Sequence, residues 1–94
     1  MSELGEVTHD MRKRRFELES GGSTGFLTYI LKDGAIVFTH TVVPPELEGQ
    51  GIGSRIVRAG LDHARELGLS VVPQCSFVRT YIDRHSEYRD LVSA

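Results

Sequence analysis

Apolar and polar residues alternate along the first half of the chain with the two-residue period of β-strands. The alternation covers residues 16–19, where acids separate the apolar side chains, and aromatic and β-branched residues fill the runs 26–31 and 36–43. Asp33-Gly34 lies between the last two runs and is the strongest short-range signal for a hairpin, because both central residues need positive φ. The pattern therefore predicts three antiparallel strands joined by short turns.

The period changes after Pro44 and Pro45, which end the third strand. Between residues 51 and 67 apolar positions recur three and four residues apart, which predicts an amphipathic helix with Gly68 as its C-cap. Residues 69–73 form a short strand, which the right-handed crossover rule places parallel to the third strand. A second short helix is predicted to begin near residue 74 and to carry on one side Cys75, Val78, Tyr81 and Ile82.

The two ends of the chain lack a clear period. We expect residues 1–10 to be loosely ordered, and residues 87–94 either to pack through Tyr88 and Leu91 or to fray. A length of 94 residues is enough for a modest core but not for two, so we expect a single domain over residues 1–94.

Charge and composition exclude several function classes. The formal net charge of −2 argues against a dedicated nucleic-acid protein. The one basic run, residues 12–15, is better interpreted as a solvated strand start balanced by nearby acids than as an anion-binding patch. Apolar runs are all shorter than the roughly 20 residues of a membrane span, so no membrane partner is expected.

The single cysteine excludes an intramolecular disulfide framework and a cysteine zinc site. His, Asp and Glu spacings do not indicate a metal site either. Because the start of the chain also lacks the pattern of a signal peptide, a reducing, cytoplasmic location is the simplest expectation.

The stretch Glu48-Gly49-Gln50-Gly51-Ile52-Gly53-Ser54-Arg55 joins the third strand to the first helix. Its alternating glycines remove side chains that would keep a ligand from the backbone, and free N–H groups at a helix start bind anions. The dinucleotide fingerprint needs a glycine where Ser54 stands, and the triphosphate loop needs Lys-Ser/Thr directly after its last glycine. The stretch therefore predicts a phosphate or pyrophosphate site of another kind.

This loop resembles the acyl-coenzyme A loop of the GNAT N-acetyltransferase superfamily, whose pattern is Arg/Gln-x-x-Gly-x-Gly/Ala. The similarity covers Gly49, Gly51 and Gly53, and the departure is Glu48, where the superfamily generally has Arg or Gln. A carboxylate at this position repels a pyrophosphate unless it points away.

The downstream residues resemble a small, truncated branch of the same superfamily, the N-acetyltransferase domain-containing protein 1-like proteins. The motif is Pro73-x-Cys75-x-Phe77-Val78-x-x-Tyr81-Ile82-x-x-His85-x-Glu87-Tyr88, with Ser86 where a Pro usually follows the His. The resemblance spans residues 16–91. It implies an α+β fold of the minimal GNAT type, with a three-stranded antiparallel meander, one parallel strand and two helices.

The resemblance also implies acetyl-coenzyme A as cosubstrate. Its pyrophosphate would rest on the amides of residues 50–54, and the backbone near residues 41–43 would bond the pantetheine arm and the thioester carbonyl. Arg55 would reach a phosphate or remain a solvated helix charge. The cofactor-binding candidates are Thr41, Val42, Val43, Glu48, Gly49, Gln50, Gly51, Ile52, Gly53, Ser54 and Arg55.

The catalytic candidates are Cys75, Tyr81 and His40. Cys75 is predicted at the start of the second helix, where the dipole stabilises a thiolate that could accept acetyl, and buried packing is the alternative. Tyr81 matches a superfamily tyrosine that protonates the departing thiolate, or else makes an aromatic core contact. His40, expected to face opposite to Thr39 and Thr41, would deprotonate the acceptor or be a half-buried structural histidine.

The first functional hypothesis is an acetyl-coenzyme A-dependent N-acetyltransferase that acts on an unknown amine, either by direct attack or through acetyl-Cys75. The alternative is a coenzyme-binding or protein-interaction module with little turnover, because the chain lacks elements that help to build the acceptor site in larger relatives. Nucleic-acid binding through residues 12–15 is a third hypothesis, which the net charge disfavours. We expect a monomer or a weak dimer.

Overall fold

A computed structural model describes residues 5–92 of the chain. Within this range five strands form one sheet in the order β1-β2-β3-β4-β5. They are β1 Thr8–Asp10, β2 Arg15–Ser20, β3 Ser23–Lys32, β4 Ala35–Val42 and β5 Ser70–Pro73. The helices are α1 Ile52–Leu67 and α2 Ser76–Arg84, and 3-10 helices cover Pro45–Leu47 and Ser86–Leu91.

The strands β1 to β4 are antiparallel neighbours in chain order, and β5 pairs parallel to β4. Asp33 and Gly34 both have positive φ, 51° and 79°, as the predicted two-residue turn requires. Gly68 ends α1 in the left-handed conformation, and its N–H bonds the carbonyls of Ala64 and Arg65. The predicted α+β fold, with its meander and one parallel strand, is therefore confirmed.

One face of the sheet is covered by α1, which contacts β2, β3, β4 and β5. Alternate strand residues point to this face and meet the apolar stripe of the helix, as the two periods in the sequence require. The fully buried side chains of this core include Leu18, Leu27, Ile36, Phe38, Val71, Ile56, Val57 and Leu61.

The strand β1 is an addition to the four strands that the sequence predicted. The ring of His9 stacks on Phe16, with ring centroids 4.2 Å apart, and its Nε2 lies 2.5 Å from the hydroxyl of Tyr29. Polarity patterns count histidine as polar, so they contain no signal for a strand whose inward side chain is an imidazole. Of the rest of the predicted loose start, residues 5–7 belong to no strand or helix, and residues 1–4 lie outside the described residues.

The C-terminal segment packs against the core as far as Val92. Tyr88 is buried, and its hydroxyl donates to Oδ1 of Asp62 on α1 at 2.7 Å. Val92 forms an isolated bridge with Val71 of β5. Of the two alternatives for residues 87–94, packing therefore holds for the described part, and residues 93–94 lie beyond it.

A β-bulge interrupts the pairing of β3 with β4. Thr28 pairs with His40 and Tyr29 pairs with Phe38, so Thr39 is the extra residue of β4. After the bulge, each side chain of β4 points to the opposite face from the one that simple alternation would give. Paired residues share a face, and Thr41 pairs with the buried Leu27. Thr41 therefore points to the helix-covered side and His40 to the open side.

Gly60 allows α1 to lie close to the sheet. A Cβ at this position would lie 3.0 Å from Cε1 of Phe38 and 3.1 Å from Cδ2 of Leu27, and both of these side chains are fully buried. Neither neighbour has space to move away. The mid-helix glycine is therefore explained by the close approach, which outweighs its low helix propensity.

We expect Gly60→Val to lower the free energy of unfolding by about 2 kcal/mol, because two more methyl groups must enter a filled contact. Helix propensity alone predicts a small stabilisation, so the sign of the change separates the two effects. Arg58→Val is the matched control, since the same side chain is placed on the exposed face of α1. Urea denaturation of the three proteins measures the difference, and a Gly60→Val protein as stable as the wild type would contradict the explanation.

Candidate active site

The strands β4 and β5 separate at one end of the sheet. Their parallel ladder runs from Ala35 to Phe38, where Pro73 is the last partner, and β4 continues to Val42. Alternate N–H groups of β5, beginning with that of Ser70, face β4, and the next in this series, that of Gln74, donates instead to the carbonyl of Val72 at 3.0 Å. The chain then turns away, and the N–H of Cys75 donates to the carbonyl of Phe38 at 3.0 Å. The last part of β4 therefore has β3 on one side and a groove on the other.

We call this space the cysteine groove. It has a volume of about 700 Å³ and opens to the surface. Its walls are the end of β4 and the connection from β5 to α2, and the lining residues are Thr39, His40, Thr41, Val42, Gln74, Cys75, Ser76 and Arg79.

A second space, the loop groove, lies where the glycine-rich stretch enters α1. Its volume is about 420 Å³, and Thr41 lines both grooves. The other lining residues are Val43, Leu47, Glu48, Gly49, Gly51, Ile52, Gly53, Ser54 and Phe77. Of the predicted cofactor-binding residues, Val42 lines the cysteine groove instead, and Gln50 and Arg55 line neither.

The N-terminus of α1 leaves backbone donors without helix partners. Gly51 is the N-cap in the left-handed conformation, with φ 72°, and the first intrahelical bond runs from the N–H of Arg55 to the carbonyl of Gly51 at 3.1 Å. The N–H groups of residues 52–54 precede that bond. Within the described chain no side chain caps this helix, and its first turn has no acid. The positive end of the helix dipole therefore faces the loop groove without a capping side chain or a first-turn acid to offset it.

Different structural constraints require a glycine at the three loop positions. Gly49 and Gly51 have positive φ, 83° and 72°, which other residues rarely adopt. Gly53 has ordinary helical geometry, but a Cβ there would lie 2.7 Å from Cζ of Phe77 on α2. Clearance for a ligand was the sequence-based reason for all three. At Gly53 the close approach of Phe77 is a further reason for a residue without a side chain.

Cys75 lies directly before α2, as its N-cap, and its side chain is half-buried. Its Sγ is 3.3 Å from Oγ1 of Thr41 across the groove. Burial raises the pKa of the thiol, but the hydroxyl of Thr41 and the backbone N–H groups of Val78 and Phe77 outweigh burial. The pKa of Cys75 therefore lies below the ordinary thiol value, as predicted for a cysteine at a helix start.

The two other catalytic candidates lie in different places. His40 is exposed on the open side of the cysteine groove, so the alternative of a half-buried structural histidine does not describe it. Its predicted orientation opposite to Thr41 is observed. The predicted orientation of His40 opposite to Thr39 was wrong. His40 pairs with Thr28 and shares its face of the sheet, and the bulge brings Oγ1 of Thr39 to that face, within 2.6 Å of Oγ1 of Thr28.

Tyr81 is buried, and its ring stacks on His85 with ring centroids 3.9 Å apart. It lines a separate small cavity of about 170 Å³, which also includes Ser54 and Phe77. Burial raises the pKa of its hydroxyl. The predicted common side of α2 therefore holds for Val78, Tyr81 and Ile82, all of them buried, whereas Cys75 precedes the helix and lines the groove.

Three features of the site were missed in the sequence. Phe77 lines both the loop groove and the cavity of Tyr81, as Ser54 does. The hydroxyl of Thr41 is the side-chain partner of Cys75, and only the backbone of Thr41 was considered. Arg79 donates from Nη1 to the carbonyls of Pro73 and Gln74 at 3.1 and 2.9 Å. Its position four residues after Cys75 on a helix was the available signal.

Residues 5–92 contain no cluster of three or more His, Cys, Asp or Glu side chains that could hold a metal ion. Nor is any described helix long and apolar enough to cross a membrane.

Comparison with known proteins agrees with this geometry. A model of the GCN5-related N-acetyltransferase family matches residues 15–91, which include both grooves. The NMR solution structure of a GCN5-like protein from Staphylococcus aureus is similar, with a TM-score of 0.75 and 30% sequence identity. That match covers 100% of this chain and 92% of the other. This chain belongs to the GCN5-related N-acetyltransferase family.

Proposed function

We propose that the protein transfers an acetyl group from acetyl-coenzyme A to an amine. The observation that carries the proposal is the position of Thr41, which lines both grooves and contacts the thiol of Cys75. A ligand anchored at the start of α1 can therefore extend along β4 to a reactive cysteine. Membership of an acetyltransferase family supports the same reaction class.

The loop groove fits the pyrophosphate end of the coenzyme. The N–H groups of residues 52–54 are donors without helix partners, and the helix dipole adds a positive field. Glu48 is the unfavourable element, because it is an exposed carboxylate that lines the same groove. The groove therefore binds the coenzyme through backbone donors and against one negative charge.

The pantetheine arm fits the end of β4 that β5 leaves free. Beyond Phe38, β4 has no partner strand on the β5 side, so backbone groups of residues 39–42 face the groove there. Unpaired backbone donors and acceptors bond an extended amide chain as a strand would. This placement brings the thioester to Thr41 and Cys75.

Two routes of acetyl transfer then differ in the role of Cys75. In direct transfer the amine nitrogen attacks the thioester carbon, the C–S bond breaks, and the coenzyme thiolate takes a proton. In the two-step route Sγ of Cys75 attacks first and releases the coenzyme thiolate, after which the amine takes the acetyl group and Cys75 is regenerated. A lowered thiol pKa favours the nucleophile role over the acid role.

His40 is the base that the cysteine groove offers to the acceptor. An amine must lose a proton before it attacks, and an imidazole accepts protons near neutral pH. His40 is exposed and lines the groove from the open side of the sheet. Tyr81 lines neither groove. It lines the small cavity on which Phe77 also borders, and it would have to protonate the coenzyme thiolate from there.

We expect Ser54→Glu to weaken acetyl-coenzyme A binding at least about tenfold, because it places a carboxylate among the backbone donors. The same change should leave folding intact or slightly stabilise it, since an acid in the first helical turn complements the dipole. Calorimetric titration measures the affinity, and thermal unfolding measures the stability. Ser54→Gln is the neutral control of the same length, and equal affinity of the Glu and Gln variants would refute the site.

We expect Thr41→Val to shift the pH profile of Cys75 alkylation upward, because the variant loses a hydrogen bond that lowers the thiol pKa. The wild-type midpoint should lie below that of a free thiol. Iodoacetamide labelling followed by mass spectrometry measures this profile without ambiguity, since the chain has one cysteine. Thr39→Val is the matched control, because the Thr39 hydroxyl bonds Thr28 and not Cys75. An unshifted Thr41→Val profile would contradict the assignment.

Cys75→Ala tests the route of transfer. If acetyl passes through the thiol, the variant binds acetyl-coenzyme A but loses transfer, and wild-type protein incubated without an amine gains one acetyl mass. Retained transfer by the variant would establish the direct route. Coenzyme binding without transfer to any amine of a broad panel would instead favour a binding module.

A further inference from the structure

The cysteine groove has an unusual charge for a site that receives an amine. The chain carries 13 Asp and Glu residues against 11 Lys and Arg. Of the carboxylates within residues 5–92, however, none lines the groove. Its only charged or titratable side chains besides Cys75 are Arg79 and His40. A polyamine or a lysine-rich segment would therefore meet a positive charge and no compensating carboxylate.

The guanidinium of Arg79 is held at the wall of this groove. Nη1 donates to the carbonyls of Pro73 and Gln74, and no hydrogen bond occupies Nε or Nη2 within the described chain. The two carbonyls fix the plane of the group and leave the other N–H groups as donors. Such a planar donor pair matches a carboxylate or a phosphate better than it matches a neutral ligand.

Arg79 also lies close to Cys75 along the helix. Its N–H bonds the carbonyl of Cys75 at 3.1 Å, so the two residues are one helical turn apart on one face. Side chains with this spacing have Cβ atoms about 5–6 Å apart. The guanidinium bonds the carbonyls of the two residues that precede Cys75, so a molecule whose amine reaches the acetyl group at Cys75 needs only a short spacer to place an anion on Arg79.

We propose that the acceptor is a small amine that carries a carboxylate or phosphate close to the amino group. This inference rests on the proposed acetyl transfer and names the substrate class of the same site. The anion binds Arg79, the amino group loses its proton to His40, and its nitrogen forms the new bond to the acetyl carbon. The C–S bond to the coenzyme, or to Cys75, breaks, and the thiolate leaves with the electron pair.

The carboxylates that would attract polyamines lie elsewhere. Glu6, Glu17 and Glu19 surround a separate cavity of about 250 Å³ at the β1–β2 edge of the sheet. The strand β3 stands between that edge and β4. Glu17 is paired with Arg15 there, so Glu6 and Glu19 are the carboxylates of that cavity that would attract a cationic amine, away from Cys75.

Matched pairs of acceptors test the proposal. With acetyl-coenzyme A as donor, lysine is compared with cadaverine, which lacks only the carboxylate, and phosphoethanolamine is compared with ethanolamine. We expect kcat/KM to be roughly tenfold or more higher for the anionic member of at least one pair. The pair that responds distinguishes a carboxylate from a phosphate acceptor.

Two variants connect this preference to the groove. Gln74→Glu adds a carboxylate to the lining while the backbone carbonyl that Arg79 bonds is kept, and it should reduce the preference to parity or reverse it. Ser70→Glu adds the same charge at the exposed start of β5 and should leave the preference unchanged. Because Gln74 is exposed, both variants should unfold at wild-type temperatures.

The outcomes separate this inference from the acetyltransferase proposal. Acetylation of cadaverine or ethanolamine in preference to their anionic partners would overturn the inference and leave the enzyme. Absence of acetyl-coenzyme A binding in calorimetry would remove the proposed function itself. Binding of the coenzyme without acetylation of any of the four amines would overturn the inference and favour the binding module.

Discussion

The separation of β4 from β5 is the feature on which the rest of this structure depends. A parallel ladder that continued to Val42 would have filled the cysteine groove with a strand and would have left no edge for a ligand. It stops at Phe38 because the N–H of Gln74, the next donor of the chain on the β4 side, bonds the carbonyl of Val72 instead, and the N–H of Cys75 takes the carbonyl of Phe38. The same hydrogen bond that ends the strand places the thiol at the start of α2. One interaction therefore both opens the groove and supplies its reactive side chain.

The bulge at Thr39 decides which side chains enter the two sides of this opening. Without an extra residue, strict alternation from the buried Phe38 would direct His40 toward the helices and Thr41 away from Cys75. With it, the Thr41 hydroxyl reaches Sγ of Cys75 and His40 stands on the open side. Bulges beside active sites commonly re-aim side chains in this way. The thiol thus has a hydrogen-bond partner on the helix-covered side of the sheet, and the imidazole of His40 lies on the other side.

Elements that depend on hydrophobic period and local turn chemistry could be predicted from the sequence. The meander, the Asp33-Gly34 hairpin, the amphipathic α1 and the Gly68 cap each have a local cause, so one stretch of chain was enough. Three features depend on distant partners and were missed. The strand β1 packs through the imidazole of His9, the bulge depends on pairing with β3, and Gly53 is in contact with Phe77 from another helix. Residues that line the two grooves were predicted where a motif carried them, but Arg79 was not, because its hydrogen bonds depend on carbonyls of the β5–α2 turn.

The sheet is covered on one face only, and this arrangement affects access to the site. On the other face Ile30, Val42 and Val72 are 48%, 41% and 37% exposed, so no described element shields them. A covered face would bury more apolar area and would add stability. It would also close the cysteine groove on the side of His40. The open face therefore leaves apolar area exposed and keeps the cysteine groove accessible from that side.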